Sequence, residues 1–129
     1  MYRFLAFILL LSAPVHAQRA PEWRQARDYE VRISGTEIEP REIRLRAGEP
    51  LRLRLVNISR QPHSFEAGNF FAAARLRPRE AGAVRGGKVV VPAGAERTIL
   101  LVPRAGRYSA RSGNLLRRIL GMNSRIVVE

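Results

Sequence analysis

The chain has 129 residues, no cysteine and two histidines, and its 23 Lys and Arg residues outnumber 11 Asp and Glu residues, which gives a formal charge of +12 at pH 7. Without cysteine, the protein cannot contain disulfides, thiolate nucleophiles, cysteine zinc sites or iron–sulfur clusters, so the core alone must stabilise the fold. All but one of the basic residues are arginine. This excess of positive charge favours salt-dependent contact with anionic partners. A GC-rich genome, which favours arginine codons, would produce the same excess of arginine without any such partner.

The first 17 residues are typical of a secretory signal peptide. Arg3 supplies a positive charge, residues 4–13 form an apolar run, and residues 15–17 end in a small residue suited to cleavage. The run is shorter than the roughly 20 apolar residues that a membrane-spanning helix needs. We therefore expect cleavage after Ala17, export to the bacterial periplasm, and a mature chain without a transmembrane segment, in which His63 is the one remaining histidine.

Short alternating runs dominate the rest of the chain. Residues 18–28 are polar and predict an N-terminal arm, which is followed by one domain at 29–129. In this domain apolar and polar residues alternate in short stretches separated by glycine and proline turns, a pattern typical of half-buried strands. Residues 69–77 break the alternation and predict a short helix or an irregular excursion. About seven to eight strands in one domain predict an all-β fold, an antiparallel β-sandwich. The clearest predicted strands are 29–33, 42–46, 51–55, 88–91, 97–102, 107–111 and 124–128.

Two groups of residues resemble the cupredoxins, the blue-copper family that includes plastocyanin and its bacterial periplasmic relatives. Residues 57–65 (NISRQPHSF) place His63 shortly after an Asn-bearing strand end, where that family has its first histidine ligand. Further on, Tyr108 is followed by Gly121 and Met122 and a closing strand. The family typically has Tyr-x-x-x-Cys, then a histidine, then Gly-Met in this region. The resemblance covers residues 31–129 and implies a Greek-key β-sandwich.

The resemblance also implies that the copper site has been partly lost. The family spacing puts Ser112 in the place of the cysteine, Arg117 in the place of the second histidine, and Met122 in the place of the axial methionine. Type 1 copper needs two imidazoles and a thiolate, with methionine only a weak axial ligand. A serine hydroxyl is a poor substitute for thiolate, and a guanidinium has no lone pair to donate. We therefore expect no type 1 copper site and no electron transfer through one.

Two further roles remain open for residues near this site. One hypothesis is that Arg117, or its neighbour Arg118, places a fixed cation where copper would be, with Glu66 as its acidic partner. The alternative is a copper-handling site in which His63 and Met122, with Glu66, hold copper, since histidine and methionine suit soft Cu(I). If they do not bind a metal, His63 is an inherited imidazole held by hydrogen bonds, and Met122 is a packed core residue.

Five arginines form a candidate surface for an anionic protein or envelope surface, with simple solvated charge as the alternative: Arg104, Arg107, Arg111, Arg117 and Arg118. An enzyme is not indicated, because the chain has no Gly-x-Ser-x-Gly elbow, phosphate-binding glycine loop or metal-ligand cluster. No nucleic-acid reader motif is present either. The sequence therefore predicts a non-enzymatic, exported cupredoxin-like accessory or binding module without a bound cofactor. A periplasmic copper-handling protein is the second interpretation.

Overall fold

The computed structural model describes residues 20–113 and 122–129, and ten strands lie within these ranges. The predicted signal peptide, Arg117, Arg118 and Gly121 lie outside them. Two short 3-10 turns, Trp23–Gln25 and Pro78–Glu80, and one helix accompany the strands. In chain order the elements are β1 (Arg27–Ile33), β2 (Ile38–Glu39), β3 (Glu42–Leu45), β4 (Leu51–Asn57), β5 (His63–Glu66), α1 (Gly68–Ala73), β6 (Arg75–Leu76), β7 (Lys88–Val91), β8 (Glu96–Val102), β9 (Gly106–Arg111) and β10 (Asn123–Val128).

The strands form two sheets that pack face to face. The first sheet has the order β2-β1-β4-β8-β6, and the second has the order β3-β10-β9-β5-β7. The predicted β-sandwich is confirmed, and each sheet contains one parallel pair among antiparallel ones: β1 with β4, and β3 with β10. These parallel pairs arise because the chain crosses from β2 in the first sheet to β3 in the second, and then returns as β4 beside β1.

The core consists of the inward-facing residues of both sheets. In β4 every second residue is buried, so Leu51, Leu53 and Leu55 face the core while Arg52 and Arg54 face outward. Phe65 of the second sheet is fully buried and belongs to the same apolar cluster. Each fully buried side chain of this size contributes about 1.5–3 kcal/mol. In a chain without cysteine, this cluster carries the stability of the fold.

Helix α1 covers one edge of the core with two aromatic rings. Its residues Phe70 and Phe71 are buried, with ring centroids 5.4 Å apart. Phe70 also contacts the ring of Tyr108 on β9 at 5.6 Å, in an edge-to-face arrangement. The break in alternation at 69–77 is therefore a short helix that overlaps the predicted range. No helix among the described residues has the length and apolar character required to cross a membrane.

The chain segment before β7 passes unusually close to the start of α1. Gly87 has a φ of +73°, and a Cβ atom added to it would lie 2.4 Å from the Cα atom of Gly68. The Ala67 amide donates to the Gly87 carbonyl across this contact at 2.9 Å. Only glycine combines this backbone conformation with so close an approach of two backbones.

Candidate functional site

Three of the predicted site positions lie at one end of the second sheet. Ser112 directly follows β9, and its backbone N–H donates to the carbonyl of Met122, which directly precedes β10, at 3.1 Å. Strand β5 runs antiparallel to β9, with Glu66 opposite Arg111, so His63 at the start of β5 lies beyond the end of β9. His63, Ser112 and Met122 therefore share one end of the sheet, which we call the His63 end.

All three side chains face the interior of the sandwich. The nearest residues at even spacing from these positions, Phe65, Ala110 and Ser124, are buried, while Arg111 and Asn123 next to Ser112 and Met122 are exposed. Accordingly His63 is only 3% exposed, Met122 is 1% exposed and Ser112 is 0% exposed. Met122 packs within the main apolar cluster. The three side chains are therefore buried at one end of the second sheet.

A buried asparagine holds the loop that leads to His63. Asn57, 1% exposed at the end of β4, donates from Nδ2 to the carbonyls of Gln61 at 2.8 Å and Val91 at 3.0 Å. Its Oδ1 accepts from the backbone N–H of Ser59 at 2.9 Å and from the Ser59 hydroxyl at 2.8 Å. The side-chain amide therefore uses its full hydrogen-bonding capacity. It fixes the loop between β4 and β5 and ties it to β7 of the opposite sheet.

Ser112 is an unusual buried polar group. Among the described residues its Oγ has no hydrogen-bond partner, although the residue is fully buried. A buried hydroxyl without a partner costs about 1–3 kcal/mol relative to a satisfied one. The described residues around the side chain therefore supply no partner suited to a hydroxyl.

Replacing Ser112 with alanine is expected to raise the free energy of unfolding by about 1 kcal/mol, because the unsatisfied hydroxyl is removed at nearly constant shape. The matched control is Ser124→Ala on β10, where Oγ lies 2.7 Å from the Pro40 carbonyl and 3.1 Å from the Arg41 carbonyl. That substitution removes a made hydrogen bond and should lower the free energy of unfolding by about 1–2 kcal/mol. Urea unfolding of both variants measures whether each substitution raises or lowers the free energy of unfolding. A loss of stability in Ser112→Ala would show that the hydroxyl is satisfied in solution.

The donor groups at the His63 end do not fit type 1 copper. Within residues 20–113 and 122–129, the end offers one imidazole, one thioether and one neutral hydroxyl, while the type 1 centre needs a thiolate and two imidazoles. The chain contains no cysteine that could supply the thiolate. In addition, the described residues contain no group of three His, Asp or Glu side chains placed to hold a metal ion.

Glu66 lies on the opposite face of β5 from His63. The two residues are three apart on a strand, so alternation directs Glu66 outward, where its side chain is 16% exposed. Its carboxylate pairs with Lys88 Nζ at 2.9 Å and with Arg111 Nε at 3.6 Å. The structure therefore does not bring Glu66 to His63 and Met122 as a third ligand. Its hypothesised pairing with Arg117 remains a prediction, since Arg117 lies outside the described residues.

The candidate arginines are spread along β9. Arg104 precedes the strand, Arg107 lies near its start and Arg111 at its end, so the last two are separated by about 13 Å of strand. All three are exposed. The structure adds Arg125 of β10, which the sequence interpretation missed, opposite Ser109 of β9. Alternation within residues 124–128 would have indicated its outward direction.

No protein-family model and no curated protein sequence matches this chain. Solved structures do match it. Auracyanin B is 17% identical with a TM-score of 0.59, over 87% of this chain and 92% of that chain. Auracyanin from the photosynthetic bacterium Roseiflexus castenholzii is 15% identical with a TM-score of 0.58, over 81% of this chain and 98% of that chain. A multi-copper oxidase from Pseudomonas thermotolerans is 21% identical with a TM-score of 0.57, over 81% of this chain but 29% of that chain. With two sheets in this order and auracyanins as structural neighbours, the chain has the cupredoxin-like fold.

Proposed function

We propose that the protein is an exported cupredoxin-like accessory or binding module that does not use type 1 copper and acts by contacting an anionic partner. The observation that carries the proposal is Ser112, a fully buried hydroxyl beside Met122 at the end of β9. This is the position to which the family resemblance assigns the copper thiolate. A neutral, buried hydroxyl cannot replace that ligand.

The architecture around the site supports a retained scaffold with a changed role. The hydrogen bonds of Asn57 still fix the approach to His63, and Met122 still precedes the last strand. The packing of a cupredoxin-like end is therefore present without the donor set for electron transfer. Such a scaffold is suited to binding through its surface, which carries the excess positive charge of the chain.

The cellular setting of the proposal rests on the N-terminal sequence. A charged start, an apolar run and a small-residue cleavage site in the first 17 residues favour export to the bacterial periplasm. The partner would then be an anionic protein or envelope surface. The absence of recognisable catalytic motifs in the sequence favours a non-enzymatic role.

Copper handling is the second candidate function, and one observation favours it. His63 and Met122 both face the same interior end of the sandwich, and imidazole with thioether is a donor pair suited to soft Cu(I). Their burial opposes it, because exposures of 3% and 1% leave little access for an incoming ion.

Titration of the purified protein with Cu(I) and Cu(II) separates the two candidates. A binding module should retain no copper after desalting from micromolar metal, in the parent and in His63→Ala alike. The companion variant Met122→Leu removes the thioether while nearly preserving side-chain volume, so that packing is little changed. One retained equivalent that both substitutions abolish would replace the proposed function with copper handling.

A further inference from the structure

The two outer faces of the sandwich differ in charge. The outer face of the first sheet carries four carboxylates and four arginines, several of which pair across strands: Asp28, Glu30, Glu39, Glu96, Arg32, Arg52, Arg54 and Arg75. Arg52 Nη1 contacts Asp28 Oδ1 at 2.9 Å, and Arg54 Nη2 contacts Glu96 Oε2 at 2.8 Å. The hydrogen bond and charge of Glu96 raise the pKa of Arg54 above its ordinary value. This face neutralises itself, and it offers little net charge to a partner.

The outer face of the second sheet carries a cationic surplus. It presents five basic side chains (Arg44, Lys88, Arg107, Arg111 and Arg125) against two carboxylates, Glu42 and Glu66. Arg44 pairs with Glu42 at 3.3 Å, and Glu66 is shared by Lys88 and Arg111. Within the described ranges, the side chains of Arg107 and Arg125 have no ion-pair or hydrogen-bond partner. Their charges are therefore available to a ligand.

Three of these arginines surround an exposed serine. Ser109 lies between Arg107 and Arg111 along β9 and is directly opposite Arg125 on β10. Strand geometry puts the Cα atom of Arg125 about 5 Å from that of Ser109, and the Cα atoms of Arg107 and Arg111 about 7 Å from it. Three guanidinium groups and a hydroxyl donor are thus within reach of a single anionic group. A guanidinium group can donate two parallel hydrogen bonds to two phosphate oxygens, so its planar geometry contributes to binding as well as its charge.

A recess adjoins this cluster. A cavity of about 400 Å³ is lined by Ser109, Arg111, Glu66, Asn69 and the backbone of three glycines. Glu66 lines the cavity, but Lys88 and Arg111 hold its carboxylate in ion pairs at 2.9 Å and 3.6 Å, and these two cations more than offset its single negative charge. An anionic headgroup therefore has both a cationic plane and a polar recess beside it.

We propose that the outer face of the second sheet, centred on Arg107, Ser109, Arg111 and Arg125, docks on a membrane surface that carries phosphate-bearing anionic lipids. The proposal rests on the proposed function and names the partner and the surface that contacts it. A lipid layer fits better than an acidic peptide because the five basic residues extend across four strands of one open sheet face (β3, β10, β9 and β7), which is a wider array than the single arginine cluster that binds an acidic peptide motif. Clustered Lys and Arg residues are attracted to anionic leaflets.

Vesicle sedimentation tests the proposal. The purified protein, with chain boundaries verified by mass, is mixed with vesicles of phosphatidylcholine, or of two parts phosphatidylcholine to one part phosphatidylglycerol. We expect binding only to the second kind, with a steep loss as salt rises, because added salt shortens the screening length. The variant Arg107→Gln/Arg125→Gln should bind about 30-fold more weakly, as expected for removal of two surface arginines.

The matched control is Arg60→Gln/Arg79→Gln, which removes the same charge from exposed positions outside this face. Binding of the control at nearly the parent level supports the proposal. Equal losses in both variants would overturn it, because binding would then follow net charge alone. If the parent ignores phosphatidylglycerol vesicles but binds polyglutamate, the lipid proposal fails and an acidic protein becomes the partner. Binding to neither probe would reject the proposed function as well.

Discussion

Replacing Gly87 with alanine is expected to lower the free energy of unfolding by about 3 kcal/mol or more, the largest effect of any single substitution proposed here. Two causes add together. The φ of +73° is unfavourable for any residue with a Cβ atom. The new Cβ would also lie 2.4 Å from the Cα atom of Gly68 and 3.1 Å from its backbone nitrogen, so a backbone must move. Moving it disturbs the junction between α1 and β7.

The neighbouring residue is a matched control. Gly86 has a similar left-handed φ of +59°, but a Cβ atom there meets nothing within 4 Å. Gly86→Ala should therefore cost only the conformational penalty, about 1 kcal/mol. Denaturant unfolding measures the loss of stability in both variants. The difference between the two losses is the cost of the backbone contact between Gly87 and Gly68. Equal losses of stability in the two variants would show that Gly87 and Gly68 are not in contact in solution.

The second large effect is a gain of metal binding. Ser112→Cys combined with Arg117→His is expected to bind one equivalent of Cu(II) and to show the strong visible absorption of a copper–thiolate centre. The physical reason is the donor set: with His63 and Met122, this variant has two imidazoles, a thiolate and a weak axial thioether. His63, Ser112 and Met122 already face one interior end, which favours assembly of the site. Absorption spectra during copper titration measure both stoichiometry and ligand type.

The corresponding control is Ser112→Ala with Arg117→His, which supplies the second imidazole without the thiolate. It should remain colourless with Cu(II), because the absorption depends on the sulfur ligand. A colourless Cys-containing variant that is folded by circular dichroism would contradict the assignment of Ser112 to the thiolate position. The assignment of cupredoxin ligand positions to residues 112–122 would then need revision, because it rests on Ser112 occupying the cysteine position.

Much of the sandwich was predictable because strand period and burial coincide. In the stretch LRLRLVN, leucine and arginine alternate over residues 51–55, and the stretch forms β4 with alternating buried and half-buried residues. The two-residue strands β2 and β6 are too short for a period to be visible. Strand β5 was missed because its four residues, HSFE, contain a single large apolar side chain. Its partners on both sides, rather than its own pattern, make it a strand.

The candidate site was predictable in position but not in detail. The family resemblance, applied to the spacing of the C-terminal residues, implied that His63, Ser112 and Met122 belong together, and strand alternation explains why all three face inward. The outward direction of Glu66 follows from the same alternation, but only once β5 is known to be a strand. Two features depend on how distant segments pack: the lack of a hydrogen-bond partner for the Ser112 hydroxyl among the described residues, and the position of Arg125 opposite Ser109. No local pattern encodes such contacts.

The position of β10 has a consequence for the order in which the molecule can fold. β10 lies between β3 and β9, and among the described strands it is the one that joins β3 to the rest of the second sheet. Residues near position 43 therefore gain their hydrogen-bonded strand partners only when residues near position 126 pair with them. Contacts between such distant segments slow folding, because a long loop must close first. The second sheet therefore stays incomplete until residues 123–128 have been synthesised and are free to pair with both β3 and β9.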